Sequence, residues 1–380
     1  MQFEELRNFY DKRRVFVTGH TGFKGSWLCF VLKMLGADVY GYGLAPNTDP
    51  GLFNILELES KLNHTLGDIR DFDELNRAFT KADPEVVFHL AAQPIVRESY
   101  RDPRYTYETN VMGTVNILEC VRNSRSVRSF LNVTTDKVYE NNELRDHAFS
   151  EDEKLDGYDP YSNSKSCSEL VTHSYMKSFF KSKENGKYDA AMHNDSSRPF
   201  ISTARAGNVI GGGDFAKDRI IPDCVRGVIA GEDILVRNPG SVRPYQHVLE
   251  PIFVYLMIAM KQAQDLGFAG SYNVGPELSD CMTTGELADE FVRCWGDDAG
   301  WRDISENNAP HEASFLRLDC AKLKKTFGWK PIWNAREAVS QTVNWYKAWH
   351  EGVDMEEFTE RQVQEYSFLF FSQKNRKRTL

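Results

Sequence analysis

Val15-Phe-Val-Thr18-Gly19-His20-Thr21-Gly22-Phe23-Lys24-Gly25 is the stretch that decides the fold of this 380-residue chain. A short apolar run, Arg14 to Thr18, reads as a buried strand. It breaks into a G-x-x-G-x-x-G turn that opens onto a helix, Ser26 to Leu35, ending at Gly36. Glycines are needed there because the turn is tight and a dinucleotide pyrophosphate must come close to the backbone. The free N–H groups and positive end of the helix then hold the phosphates. A glycine pattern alone is weak, but strand, turn and helix in this order supply its context. Gly19, Thr21, Gly22, Phe23, Lys24 and Gly25 are therefore the candidate cofactor contacts.

Outward from this turn the pattern repeats. Ala37 to Tyr42, Val86 to Leu90, Ser129 to Thr134 and Ile201 to Arg205 read as strands, with a helix over Tyr105 to Asn123. Such alternation predicts a doubly wound parallel sheet with helices on both faces. The polar stretch Lys181 to Pro199 reads as a surface insertion. From Gly211 on, Pro222, Pro239, Pro244 and Pro251 interrupt the pattern. Three segments follow: residues 1–209 as a dinucleotide-binding domain to which later segments return, 210–350 as a smaller mixed α/β substrate lobe, and 351–380 as a charged tail. Glu337 to His350 is an amphipathic helix within the second.

Composition bounds the partners. With 46 Lys+Arg against 55 Asp+Glu, the net charge is −9, which disfavours a nucleic-acid or anionic-membrane partner. It leaves room for a small anionic ligand held by a few local arginines. Seven cysteines without C-x-x-C spacing suggest a reducing compartment and buried thiols. Met1 to Arg14 is charged and lacks the apolar core of a signal peptide. The longest apolar run, Ile252 to Met260, is too short to span a bilayer. A cytoplasmic protein is the expectation.

Two further features carry chemistry. After the second strand, Tyr40-Gly-Tyr-Gly-Leu-Ala-Pro46 offers neither an acid for ribose hydroxyls nor an arginine for a 2′-phosphate, so NAD is favoured over NADP only moderately. Asp68, in Gly67-Asp68-Ile69-Arg70-Asp71, is a candidate for the adenine amino group or simply part of a helix start, with Asp71 opening the next helix. Tyr161-Ser-Asn-Ser-Lys165 has Y-x-x-x-K spacing, which puts both side chains on one helix face. An ammonium there is expected to lower the phenol pKa and make a base. Thr135, at a strand end, supplies a hydroxyl to orient a substrate alcohol.

Taken together, Thr18 to Gly25, His89-Leu-Ala-Ala-Gln93, Asn110-Val-Met-Gly-Thr114 and Tyr161 to Lys165 resemble the extended short-chain dehydrogenase/reductase family acting on nucleotide sugars. Thr134-Thr-Asp-Lys-Val-Tyr139, Arg205 to Asp214, Asp218 to Asp223, Arg243 to Glu250 and Pro310 to Ala313 resemble its dehydratase branch. The resemblance implies a Rossmann-type fold, bound NAD, a homodimer and a role in deoxysugar synthesis. It implies Thr135, Tyr161 and Lys165 as the dehydrogenation triad, with Asp136 as acid in the elimination. Lys137 is either the C5 base, which needs a depressed pKa, or a cation for the enolate. It adds Ile69, Ala91, Ala92 and Gln93 to the cofactor site. Asn208, Arg219, Arg237, Arg243 and His247 become the substrate contacts, with the cytosine base resting on the resemblance alone. The histidines show no ligand spacing, so no metal is expected. A nucleotide-sugar 4-epimerase, a dehydratase of another nucleotide hexose and a non-catalytic NAD-binding regulator are the alternatives. The first has no use for Asp136 and Lys137, and the last could dispense with Thr135, Tyr161 and Lys165.

Overall fold

The computed structural model describes residues 3–180, 183–184, 187–188, 199–296, 299–305 and 315–375. Most of the 181–198 insertion and the Pro310 to Ala313 segment therefore lie outside the described residues. Seven parallel strands form the central sheet: β1 (Arg14–Thr18), β2 (Asp38–Gly43), β3 (Asn63–Leu66), β4 (Val86–His89), β5 (Ser129–Thr135), β6 (Phe200–Ala206) and β7 (Ser271–Val274). Their order is β7-β6-β5-β4-β1-β2-β3, and each neighbouring pair runs parallel. The order reverses between β1 and β4, which opens a crevice at their carboxyl ends where ligands of such sheets bind.

Alternation along β1 explains why the sheet is covered on both sides. Val15 and Val17 join one apolar cluster with Trp27, Leu28, Ile252 and Leu256. Phe16 joins the other with Phe79, Ile117 and Val121. The first face is covered by the helices Phe23–Met34 and Leu249–Gln264, the second by Phe72–Ala82, Gly113–Asn123 and Pro160–Tyr175. The apolar run Ile252 to Met260 is the buried middle of Leu249–Gln264. Among the described residues no helix is long and apolar enough to cross a membrane. The seven cysteines are unpaired, and Cys29, Cys120, Cys224 and Cys320 are buried.

The charged stretch after His350 takes on an account that its composition hid. Met355–Asn375 is a helix whose Val363, Tyr366, Phe370 and Phe371 are buried against the sheet domain. Its anchor is Glu250, fully buried, which accepts Tyr366 Oη–H at 2.7 Å and the N–H groups of Ile332 and Trp333 at 2.8 Å each. One carboxylate thus joins the central helix, the loop before Ala335–His350 and the last helix.

Burial pushes Glu250 up from its ordinary 4.5 to about 7. Between these values the unfolded chain ionises while the folded one keeps its proton, so this group's contribution to stability falls as pH rises. The variant Glu250→Gln should therefore gain in melting temperature relative to the parent between pH 5 and 7.5, as measured by scanning calorimetry. A pH-independent difference would rule the titration out.

Candidate active site

The turn after β1 is held by backbone on backbone. Gly19 adopts φ +72°, and a Cβ there would lie 2.7 Å from the Ala91 nitrogen. A Cβ on Gly25 would lie 2.1 Å from the Gly19 carbonyl oxygen. Only glycine lets strand, turn and helix approach this closely. Gly22 caps the helix Phe23–Met34 without a side-chain hydrogen bond, which leaves its first N–H groups for an anion. These features fit a dinucleotide pyrophosphate. Thr21 ties the turn to the end of β2 by donating to the Leu44 carbonyl at 2.8 Å.

A buried polar network fixes the neighbouring strand ends. Thr18 Oγ1 accepts from the N–H groups of Leu90 and Ala91 at 3.1 and 3.2 Å and meets His89 Nδ1 at 2.8 Å. His89 Nε2 lies 3.2 Å from Thr114 Oγ1, which in turn meets Ser168 Oγ at 2.8 Å. Asn110 accepts from the Gln93 N–H at 2.8 Å and donates to Ser164 Oγ at 2.8 Å. Gln93 spends its side chain on Thr106 and the Ile95 N–H, so it shapes the Ala91–Ala92 segment from behind. Asn110 and Thr114 lay in a segment that carried the resemblance, but no role was read for them, nor for Ser164 and Ser168. Their signal is a polar stripe at helical spacing, Ser164-Ser168-Thr172, on an otherwise buried face.

Beyond β3, Asp68 is clasped by Arg70, whose Nη2 lies 2.7 Å away, and this hydrogen bonding lowers its pKa. Asp71 caps the next helix, accepting from the Glu74 N–H at 2.9 Å, as the sequence suggested. Ile69 is buried against Gly113, which has no room for a side chain beside it.

Catalytic candidates converge at the carboxyl end of β5. Asp159 caps the helix Pro160–Tyr175 and places Tyr161 in its first turn, with Lys165 one turn on. Thr135 ends β5; its hydroxyl donates to Asp136 Oδ1 at 2.9 Å and is hydrogen-bonded to the Tyr161 phenol. Asp136 is 1% exposed, and its other oxygen has no hydrogen-bond partner among the described residues. Burial raises its pKa, against the pull of Lys137, Thr135, Arg243 and Lys24. A carboxyl group so placed is suited to holding a proton and giving it away.

The Y-x-x-x-K pair behaves differently from expectation. Burial dominates, pushing Tyr161 up to about 12 and Lys165 down to about 7. Lys165 Nζ donates to the Val133 carbonyl at 3.0 Å, and burial raises the phenol where this ammonium was expected to lower it. The cation nearest in effect on Tyr161 is Arg219, itself paired with Asp214 at 2.7 Å.

Lys24, assigned by spacing to the phosphate turn, interacts electrostatically with Asp136, Arg219 and Lys165. It thus belongs to the catalytic pocket as well as to the turn. Burial and Arg219 bring it down to about 8. Arg243 is buried and acts on Asp136. Arg237 is instead ion-paired with Asp218 and Asp223. Asn208 accepts from the Gln246 N–H through its backbone and keeps its side chain half-buried. His247 is fully buried between Trp27 and Trp333, a core position rather than a pocket wall. Among the described residues no cluster of His, Cys, Asp and Glu could hold a metal ion.

This geometry matches known proteins. The GDP-mannose 4,6 dehydratase family model matches residues 16–188. CDP-glucose 4,6-dehydratase of Salmonella typhimurium strain LT2 is 44% identical over 95% of this chain and 98% of its own length. Among solved structures, the UDP-glucose 4-epimerase of Thermotoga maritima with UDP-glucose superposes with a TM-score of 0.74 at 21% identity, over 88% of this chain and 99% of that one. The dTDP-glucose 4,6-dehydratase of Bacillus anthracis in complex with NAD gives 0.71 at 21%, over 90% and 99%. The two structures share the fold, and the near-complete alignment at 44% identity carries the relationship further: the chain belongs to the nucleotide-sugar 4,6-dehydratases of the extended short-chain dehydrogenase/reductase family.

Proposed function

We propose that the chain converts CDP-glucose to CDP-4-keto-6-deoxyglucose and water, with NAD held in the glycine turn. The observation that carries this reading is Asp136, a buried acid with one unpartnered oxygen beside Thr135 and Tyr161. A 4-epimerase has no leaving group to protonate and no need of it. The match to the Salmonella enzyme over both full lengths supports CDP-glucose among nucleotide hexoses.

NAD held by the Gly19–Gly25 turn would supply a hydride acceptor at C4 and a hydride donor at C6. Tyr161 takes the proton of the sugar 4-OH, with Thr135 orienting that hydroxyl. The resulting ketone acidifies C5–H. Asp136 protonates the departing 6-OH as water, and the C5 proton leaves with Lys137 as its acceptor or as the cation beside the enolate. Lys24, Arg219 and Arg243 add positive charge to a pocket that must receive a dianionic diphosphate and a transient enolate. The C5 proton is returned as hydride adds at C6, and the proton that Tyr161 gained restores the one Asp136 gave, so turnover needs no external oxidant or reductant.

The chain also reads as a homodimer. Met112, Leu170 and Phe179 are exposed at 50%, 52% and 46% on the adjacent segments Glu108–Met112 and Pro160–Phe180, and a second copy would cover them. A cytoplasmic setting and a place in deoxysugar synthesis accompany this reading.

Incubation with NAD and CDP-glucose should yield a product that develops an ultraviolet chromophore in base. CDP-galactose without a chromophore would identify an epimerase, and a faster reaction with UDP-, dTDP- or GDP-glucose would reassign the base. In Asp136→Asn, C4 oxidation should persist as NADH absorbance while product formation falls by about two to four powers of ten; full turnover would remove the acid role from Asp136. For the interface, Leu170→Glu should halve the mass measured by light scattering, and an unchanged mass would place the contact elsewhere.

A further inference from the structure

Behind the catalytic face lies a second buried acid that the reaction does not use. Glu169 follows Lys165 by one helical turn and is fully buried. Its carboxylate accepts from Thr203 Oγ1 at 2.7 Å, from Arg205 Nη2 at 3.0 Å and from the Thr134 hydroxyl. His173 Nε2 stands 3.6 Å away. Arg205, also fully buried, continues outward through Nη1 to Tyr139 Oη at 2.8 Å and the Glu151 carbonyl at 2.9 Å. Tyr139 then donates to Asn273 on β7 at 2.6 Å.

Burying two ions is costly, and an apolar pair of the same volume would often hold a core equally well. What this pair does that an apolar one cannot is fix direction. Side chains alternate along a strand, so anchoring Thr134 towards the helix turns Thr135 towards the pocket. The same carboxylate sits on the helix that carries Tyr161 and Lys165.

We propose that Glu169 and Arg205 form a positioning pair, which clamps the Tyr161–Lys165 helix to the Thr134 end of β5 and so sets the geometry of Thr135, Asp136 and Tyr161. Glu169 also faces Lys165 electrostatically and favours its ammonium form. Its other charged or titratable neighbours are Arg205, His173 and Tyr139. The assignment rests on the reaction proposed above, which sets what is being positioned.

The test separates geometry from stability. Thr134→Val removes one donor to Glu169 and leaves the ion pair in place. It should slow the first-turnover appearance of NADH by about tenfold or more with substrate KM within about twofold, and Thr134→Ser should restore the rate. Glu169→Gln should move the alkaline loss of that rate to lower pH, because Lys165 loses an anionic neighbour. If Glu169→Gln does not fold, the Thr134 pair decides. A folded Thr134→Val that oxidises C4 at the parent rate would overturn the proposal, as would a folded Glu169→Gln with the parent pH profile. Failure of the parent chain on every nucleotide hexose would count against the reaction instead.

Discussion

The contact between Gly19 and Gly25 is the constraint on which the rest depends. The Gly19 carbonyl occupies the volume that any side chain at position 25 would need. The helix Phe23–Met34 can therefore begin immediately after the strand, with its first N–H groups aimed across the crevice. Thr18 completes the junction by receiving two N–H groups from the end of β4, so β1 and β4 open together at the point where the strand order reverses. Every other element of the site is referred to this opening. Lys24 reaches the catalytic pocket from the turn, and the network through His89, Thr114 and Ser168 carries the same frame to the tyrosine helix.

Charge is distributed locally in a way the total conceals. A chain of net charge −9 sets Lys137, Arg243 and Lys24 to act on one buried carboxyl, Asp136, while Arg219 is held by Asp214 and Lys165 faces Glu169. Burial holds Lys24 and Lys165 near the point of losing their protons, and an arriving dianionic ligand would favour their charged forms.

What was legible in the sequence was what repeats or what chemistry restricts. The glycine turn, the parallel sheet, the Asp71 cap and the nearness of Thr135 and Tyr161 follow from periodicity or from residue types with few other uses, and the resemblance added Asp136 to them. Side-chain direction was not legible. Spacing placed Lys24 with the phosphates but could not show that its ammonium also acts electrostatically on Asp136. His247 lay in a segment for which the resemblance implied substrate contacts, yet it packs against Trp27 and Trp333 in the core. The last helix was hidden because its apolar residues, Val363, Tyr366, Phe370 and Phe371, are spaced among charges that face solvent. Its anchor, Glu250, is more than a hundred residues away in the chain, a distance no local pattern spans.

Asp136 and Glu169 show how one fold assigns opposite tasks to the same functional group. Both are carboxylates with almost no exposure, at the same end of the sheet. Glu169 is met by two hydroxyls and a guanidinium, which overcome the cost of burial and hold its pKa below the ordinary value. Asp136 is given one hydroxyl donor and an oxygen without a partner, so burial prevails and its pKa rises. The first is thereby kept as a fixed anion that can orient its surroundings but has no proton to give. The second, with its pKa raised, is suited to the proton donation proposed for it. The Arg205 charge and the two hydroxyl donors at Glu169, rather than depth, separate the acid proposed to react from the acid proposed to hold.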